Sequence, residues 1–301
     1  MYAFSVDRTS CALRSTVLFH ATAQSMGCIH TPYSMAKYWQ RVRPWQDSSS
    51  RWKRMRDGVA PLATTKIQLF EHFPHLRPLF EHPLWEIMGH LKTAHDWDEL
   101  AETIRVGNKP LDGYGGKSTR LLFDRADWPC LPVHVVLMNT HASRFAFHRL
   151  WLKKNFAALL SLSSLQRPII YIRAELVTLL KPTVSIHGSV LRPRGESCTM
   201  NWGADEALLQ LLQERSWLRG DDRHLALLIW NFRHEVQRDV DLGPRQISGK
   251  RGCGLPLPLR KKWYRKQAQW KDNPVHLNGV SCELAHQDDW SAVPSVRLCY
   301  P

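Results

Sequence analysis

Ser48–Pro61 reads SSSRWKRMRDGVAP, and the rest of the chain can be organised around it. Ser48 or Ser49 supplies an N-cap hydroxyl, and helix formers follow to about Asp57. Gly58 stands where a C′ glycine ends a helix, and Pro61 keeps it from resuming. Trp52 and Met55 are three residues apart, so they share a face and point to a core. Arg51, Lys53, Arg54 and Arg56 are left outward or flanking. Such a row suits the major groove of DNA, where arginine pairs bidentately with guanine. A charge run on a helix is, equally, the common form of a solvated face.

The neighbouring segments read as helices too. Ser34–Val42, SMAKYWQRV, places Met35, Tyr38, Trp39 and Val42 on one side, and Arg43-Pro44 ends it. With Arg43–Asp47 as the turn, the two helices have lengths close to a helix-turn-helix. Thr64 or Thr65 caps a third helix through Phe73, with Ile67, Phe70 and Phe73 at helical spacing. Leu76–Phe80 is a short helical turn, and Pro83 opens a helix to Leu91 with an apolar stripe of Leu84, Ile87, Met88 and Leu91. Between Lys37 and Lys66 there are eight cations and two acids. The expected nucleic-acid contacts here are Lys37, Arg41, Arg43, Arg51, Lys53, Arg54 and Arg56, with Arg51, Arg54 and Arg56 as base readers.

Ser49, Trp52, Gly58 and Pro61 resemble the end of the recognition helix and following turn in phage-repressor (Cro-like) helix-turn-helix domains. The later Phe73-Pro74 and Pro83-Leu84-Trp85 look like a pattern in uncharacterised bacterial proteins that begin with a related segment. The likeness covers about Ser34–Leu91, and the step from Trp52 to Gly58 is longer than in the usual repressor pattern. It implies DNA binding, and regulation, for that segment alone.

Residues 1–33 lack clear periodicity and are expected to form a poorly ordered arm, with Met26 and Met35 as alternative starts. His95–Asn108 reads as a helix capped by Asp96, and Val133–Met138 as a buried strand. Ser143–Leu165 is a strong helical pattern, and Pro168–Leu180 another that Pro182 stops. Thr183–Leu191 alternates weakly, as a strand would. Ala204–Trp217 and Asp222–Val240 form a helical pair. Gly243–Lys271 holds nine cations and no acid; its glycines and prolines argue against packing as far as Leu259, and Arg260, Lys261, Lys262, Arg265 and Lys266 gather on one basic helix. Asp272–Pro301 reads as mobile. The expected fold is mainly α: a small helix-turn-helix-like domain over 34–95, a larger helical domain over 96–242 with at most a few short strands, and a basic tail over 243–301.

Lysine and arginine outnumber aspartate and glutamate by 14, which favours a polyanion as partner. The expected polyanion is double-stranded DNA, with a homodimer as one allowed state. Many of the thirteen tryptophans adjoin cations, where they either stack on bases or anchor a core; core is the commoner fate. The seven cysteines are widely spaced without Cys-x-x-Cys, which excludes a secreted disulfide framework and points to an intracellular, cytoplasmic protein. The uncharged run Asn155–Gln166 is 12 residues, short of the roughly 20 a membrane span needs, so no membrane partner is expected.

No catalytic residue, metal or cofactor is expected. Gly113–Thr119, GYGGKST, ends like a phosphate-binding loop but has Leu111 where the first glycine belongs. His72, His75 and His82 lack further ligands in sequence, and Cys130 with His134 and His141 is similarly thin. Asp221/Asp222 is the acidic pair on which a metal-dependent nucleic-acid enzyme would rest, although a helix cap is its simpler role. A helical scaffold for a protein partner is the third alternative.

Overall fold

A computed structural model describes residues 6–42, 48–89, 92–113, 116–185, 202–215, 217, 222–241 and 255–277. The helices are α1 (Val6–Ser25), α2 (Pro32–Val42), α3 (Ser49–Arg56), α4 (Ala63–His72), α5 (Arg77–Phe80), α6 (Pro83–Gly89), α7 (Ala94–Glu102), α8 (Lys117–Phe123), α9 (Leu131–Asn139), α10 (Ala146–Ser164), α11 (Arg173–Ser185), α12 (Trp202–Glu214), α13 (Asp222–Asp241) and α14 (Leu257–Asp272). The strands are β1 (Ile104–Val106), β2 (Lys109–Pro110) and β3 (Val275–Leu277). The fold is mainly α. The described residues fall into two units, one made of 6–92 and 167–183, the other of 93–166 and 184–277. No helix among them is long and apolar enough to cross a membrane.

The first unit is built around α1, the segment expected to be a disordered arm. That expectation is corrected here: Leu13, Val17, Leu18, Phe19, Ala21 and Ala23 are buried, and so are Ser10, Ser15 and Thr22. α1 packs on α3, α5, α6 and the 3₁₀ turn Ile169–Ile172. A helix surrounded on several sides needs no apolar stripe, so it shows none in sequence. Its hydroxyls are satisfied by backbone. Ser15 donates to the Cys11 carbonyl (3.0 Å), Thr22 to Leu18 (2.7 Å) and Ser10 to Trp85 (2.8 Å).

α2 begins earlier than Ser34. Thr31 accepts from the Ser34 amide at 3.2 Å, and Pro32 takes the first helical turn. Met35, Ala36 and Trp39 are buried. α3 starts after Ser48, whose backbone is extended as an N-cap requires, yet the Ser48 hydroxyl meets the Ser50 hydroxyl at 2.5 Å and caps no amide. The expected stop at Gly58 is present as a Schellman motif: Gly58 donates to the Met55 carbonyl (3.1 Å) and Val59 to the Arg54 carbonyl (2.8 Å), with Gly58 at φ +85°. The helical spacing of Ile67, Phe70 and Phe73 does not mark the inward face of α4. Thr65, Leu69 and Phe73 are buried, and Ile67 is 56% exposed. α11 continues past Pro182 to Ser185.

In the second unit, Thr93 and not Asp96 caps α7; Asp96 completes a capping box as its third helical residue. α7 ends at Glu102, and Ile104–Val106 leaves it as β1. Gly107 at φ +61° turns the chain into β2, and β3 pairs antiparallel on the other side of β1 with Arg105 opposite His276. Val133–Met138, expected as a strand, lies in α9, all nine of whose residues are buried. α9 packs on α7 and α10, and α10 on α12 and α13. Leu255 and Leu259 are buried and β3 joins the sheet, so the segment 255–277 is packed rather than a mobile tail. The other residues of that tail, and most of Thr183–Leu191, lie outside the described residues.

Candidate nucleic-acid interface

α3 has a fixed inner face. Trp52 and Met55 are fully buried, and Trp52 meets Trp39 of α2 edge-on at 5.9 Å between ring centres. At 100° per residue, Lys53 and Arg54 then lie opposite that face, and Arg51 and Arg56 lie at its flanks. Arg51 turns inward. Its guanidinium carbon sits 4.7 Å from the Trp52 ring centre and 5.6 Å from that of Trp39. Arg51 is therefore a packing residue, which corrects its expected place among the base readers. Arg56 pairs with Asp57 at 3.1 Å on an exposed surface. Lys53 and Arg54 are exposed and make no ion pair among the described residues. On α2, the buried Met35, Ala36 and Trp39 leave Lys37 and Arg41 outward, one turn apart. Arg43 lies outside the described residues.

α14 repeats this arrangement in the second unit. Leu259, Trp263 and Trp270 form its buried stripe. Opposite them, Lys261 and Arg265 are exposed and four apart. The other three expected cations are already engaged. Arg260 donates to the Leu255 carbonyl (2.9 Å), Lys262 pairs with Glu235 (3.1 Å), and Lys266 pairs with Asp124.

Two further motifs make local hydrogen bonds. Gly116 precedes α8, and the Ser118 hydroxyl donates to the Asp112 carboxylate at 2.6 Å. Asp222 heads α13 and accepts from the Gln213 amide, while Asp221 lies outside the described residues. Among the described residues, no three His, Cys, Asp or Glu side chains converge to hold a metal ion.

A buried polar cluster was missed in sequence. Asp127 is fully enclosed, with Arg125 at 2.6 Å and Arg223 at 3.2 Å. Burial alone would raise its carboxyl, but the two guanidinium groups hold it well below the usual carboxylate range. Burial pushes the neighbouring Cys130 thiol up, away from the reactive thiolate, and pushes His134 down to about 4. Cys130 and His134 are both fully buried. The only hint in sequence was the Cys130-x-x-x-His134 spacing; Arg125 and Asp127 lie just before it, and Arg223 comes from α13.

Compared with protein-family models, curated proteins and solved structures, the chain matches none.

Proposed function

We propose that this protein binds double-stranded DNA through the outward cations of α2 and α3, Lys37, Arg41, Lys53 and Arg54, and that Lys261 and Arg265 of α14 give the second unit a phosphate-contacting surface of its own. The observation that carries the reading is the exposure of these six cations without carboxylate partners among the described residues, in a chain with formal charge +14. Arg54 is the base-edge reader, since it alone among the arginines of α3 is neither stacked on tryptophan nor paired with Asp57. A regulatory or mobile-element accessory role requires this contact to be sequence-selective.

Fluorescence anisotropy with a labelled duplex tests the reading. Six neutralised phosphates give a slope of log K against log salt of about −5. A flat salt dependence, or no binding at low salt, defeats it. Competition between random and selected duplexes then separates a regulator from a general binder.

A further inference from the structure

α4 turns an apolar stripe outward. Its core face is Thr65 and Leu69; the opposite face carries the exposed Ala63 and Ile67 and the half-buried Phe70, which lies beside Phe80 and Arg77, and the three line an open groove. Ile67 is 56% exposed, and Leu62 just before the helix is 67% exposed. Lys66 and Glu71 flank the stripe on opposite sides.

These positions read as a heptad segment: Ala63 at d, Lys66 at g, Ile67 at a, Phe70 at d and Glu71 at e. In a parallel pair of helices, the g residue of one meets the e residue five places later on the other. Lys66 of one copy would thus face Glu71 of a second copy, and the same pair repeats across the two-fold axis. Ile67 would meet Ile67, and a β-branched residue at a favours two strands. An anionic ligand suits the groove less well, because Glu71 and Glu81 line it beside Arg14, Lys66 and Arg77. A surface with an apolar seam and both charges on its rims is self-complementary, as an isologous interface must be.

We propose that α4 is a homodimer contact, packed in parallel and in register against α4 of a second copy. This does not depend on DNA binding, and sizing the full chain without DNA tests it separately. Sedimentation velocity over a concentration series is expected to show a reversible dimer. Ile67→Glu, at an exposed position, leaves the far-ultraviolet circular dichroism unchanged and weakens the dimer at least tenfold. Lys66→Glu and Glu71→Lys each weaken it several-fold, and the double exchange restores it. A monomer at every concentration overturns the proposal, and so does a dimer indifferent to Ile67→Glu. A dimer that tightens with Lys66→Ala alone overturns the parallel register, because antiparallel packing sets Lys66 beside Lys66 and removing the charge relieves that repulsion.

Discussion

Gly58 and Ala12 meet so closely that a Cβ placed on Gly58 would stand 2.8 Å from the Cβ of Ala12. The end of α3 is thereby fixed against α1 by two demands on one residue, a positive φ and a missing side chain. Gly58→Ala is expected to cost about 2–4 kcal/mol, from left-handed strain plus overpacking. Ala12→Gly in the same chain should recover the steric part and not the strain. Urea midpoints of the two single variants and the double measure this; additive effects would rule out the contact.

Arg51 and Arg54 are three residues apart and should part company when each is replaced by alanine. Arg51→Ala removes the cation over Trp52 and lowers stability by about 1–2 kcal/mol. Arg54→Ala should leave the melting temperature unchanged and weaken duplex binding by about 1–3 kcal/mol if it contacts a base edge. Melting curves and binding isotherms on both variants decide it. The reverse assignment would place the wrong arginine on the DNA.

Acid should destabilise the protein in two stages. Burial holds His20, His134 and His148 down to about 4, against an ordinary value of 6.5; for His20, the nearby His30 at 3.0 Å adds to the effect. The unfolded chain therefore binds more protons between pH 6.5 and 4. Stability is full above 6.5 and declines as pH falls through that window. Asp127 acts lower still: its folded value is depressed, so its contribution is lost only as pH falls below the ordinary carboxylate range. The urea midpoint should be level above pH 7 and drop steeply from 6.5 to 4.5, with His134→Leu flattening part of the slope. A level midpoint throughout would show that these imidazoles are not buried.

Asp127→Ala strands the buried Arg125 guanidinium and is expected to cost about 3–5 kcal/mol. In the same core, Cys130 should resist alkylation until the chain unfolds, whereas the exposed Cys11 should react in the native state. Mass mapping of alkylated peptides with and without urea gives the order. Equal native labelling of the two would mean that the core is open.

α3 was legible because its signals are local: a serine-rich start, two core residues at helical spacing and a glycine at the stop. α9 was not, because its run VHVVLM is buried on all sides, and periodicity does not separate an enclosed helix from an enclosed strand. α1 was hidden by serines and threonines that bond to backbone within a core. Ile67 misled for the opposite reason, since an apolar residue at helical spacing gives the face and not its direction. The inward turn of Arg51 depends on Trp39, a contact between helices that neither segment announces. The Asp127 cluster needs Arg223 from α13, so no reading of residues 125–134 alone could assemble it.

The pairing of β1 with β3 has a consequence for how the chain comes into being. Val106 leaves the ribosome long before Val275, its partner in the sheet, has been translated. The 167–183 segment likewise reaches the first unit only after most of the second unit's helices up to α10 have been made. Neither unit can close in order of synthesis, so the nascent chain must hold two unfinished cores at once. The late-made α14, with Leu259, Trp263 and Trp270 turned inward, and β3 behind it complete one of them. Until then, the apolar surface of α9 and the free edge of β1 are open to other chains.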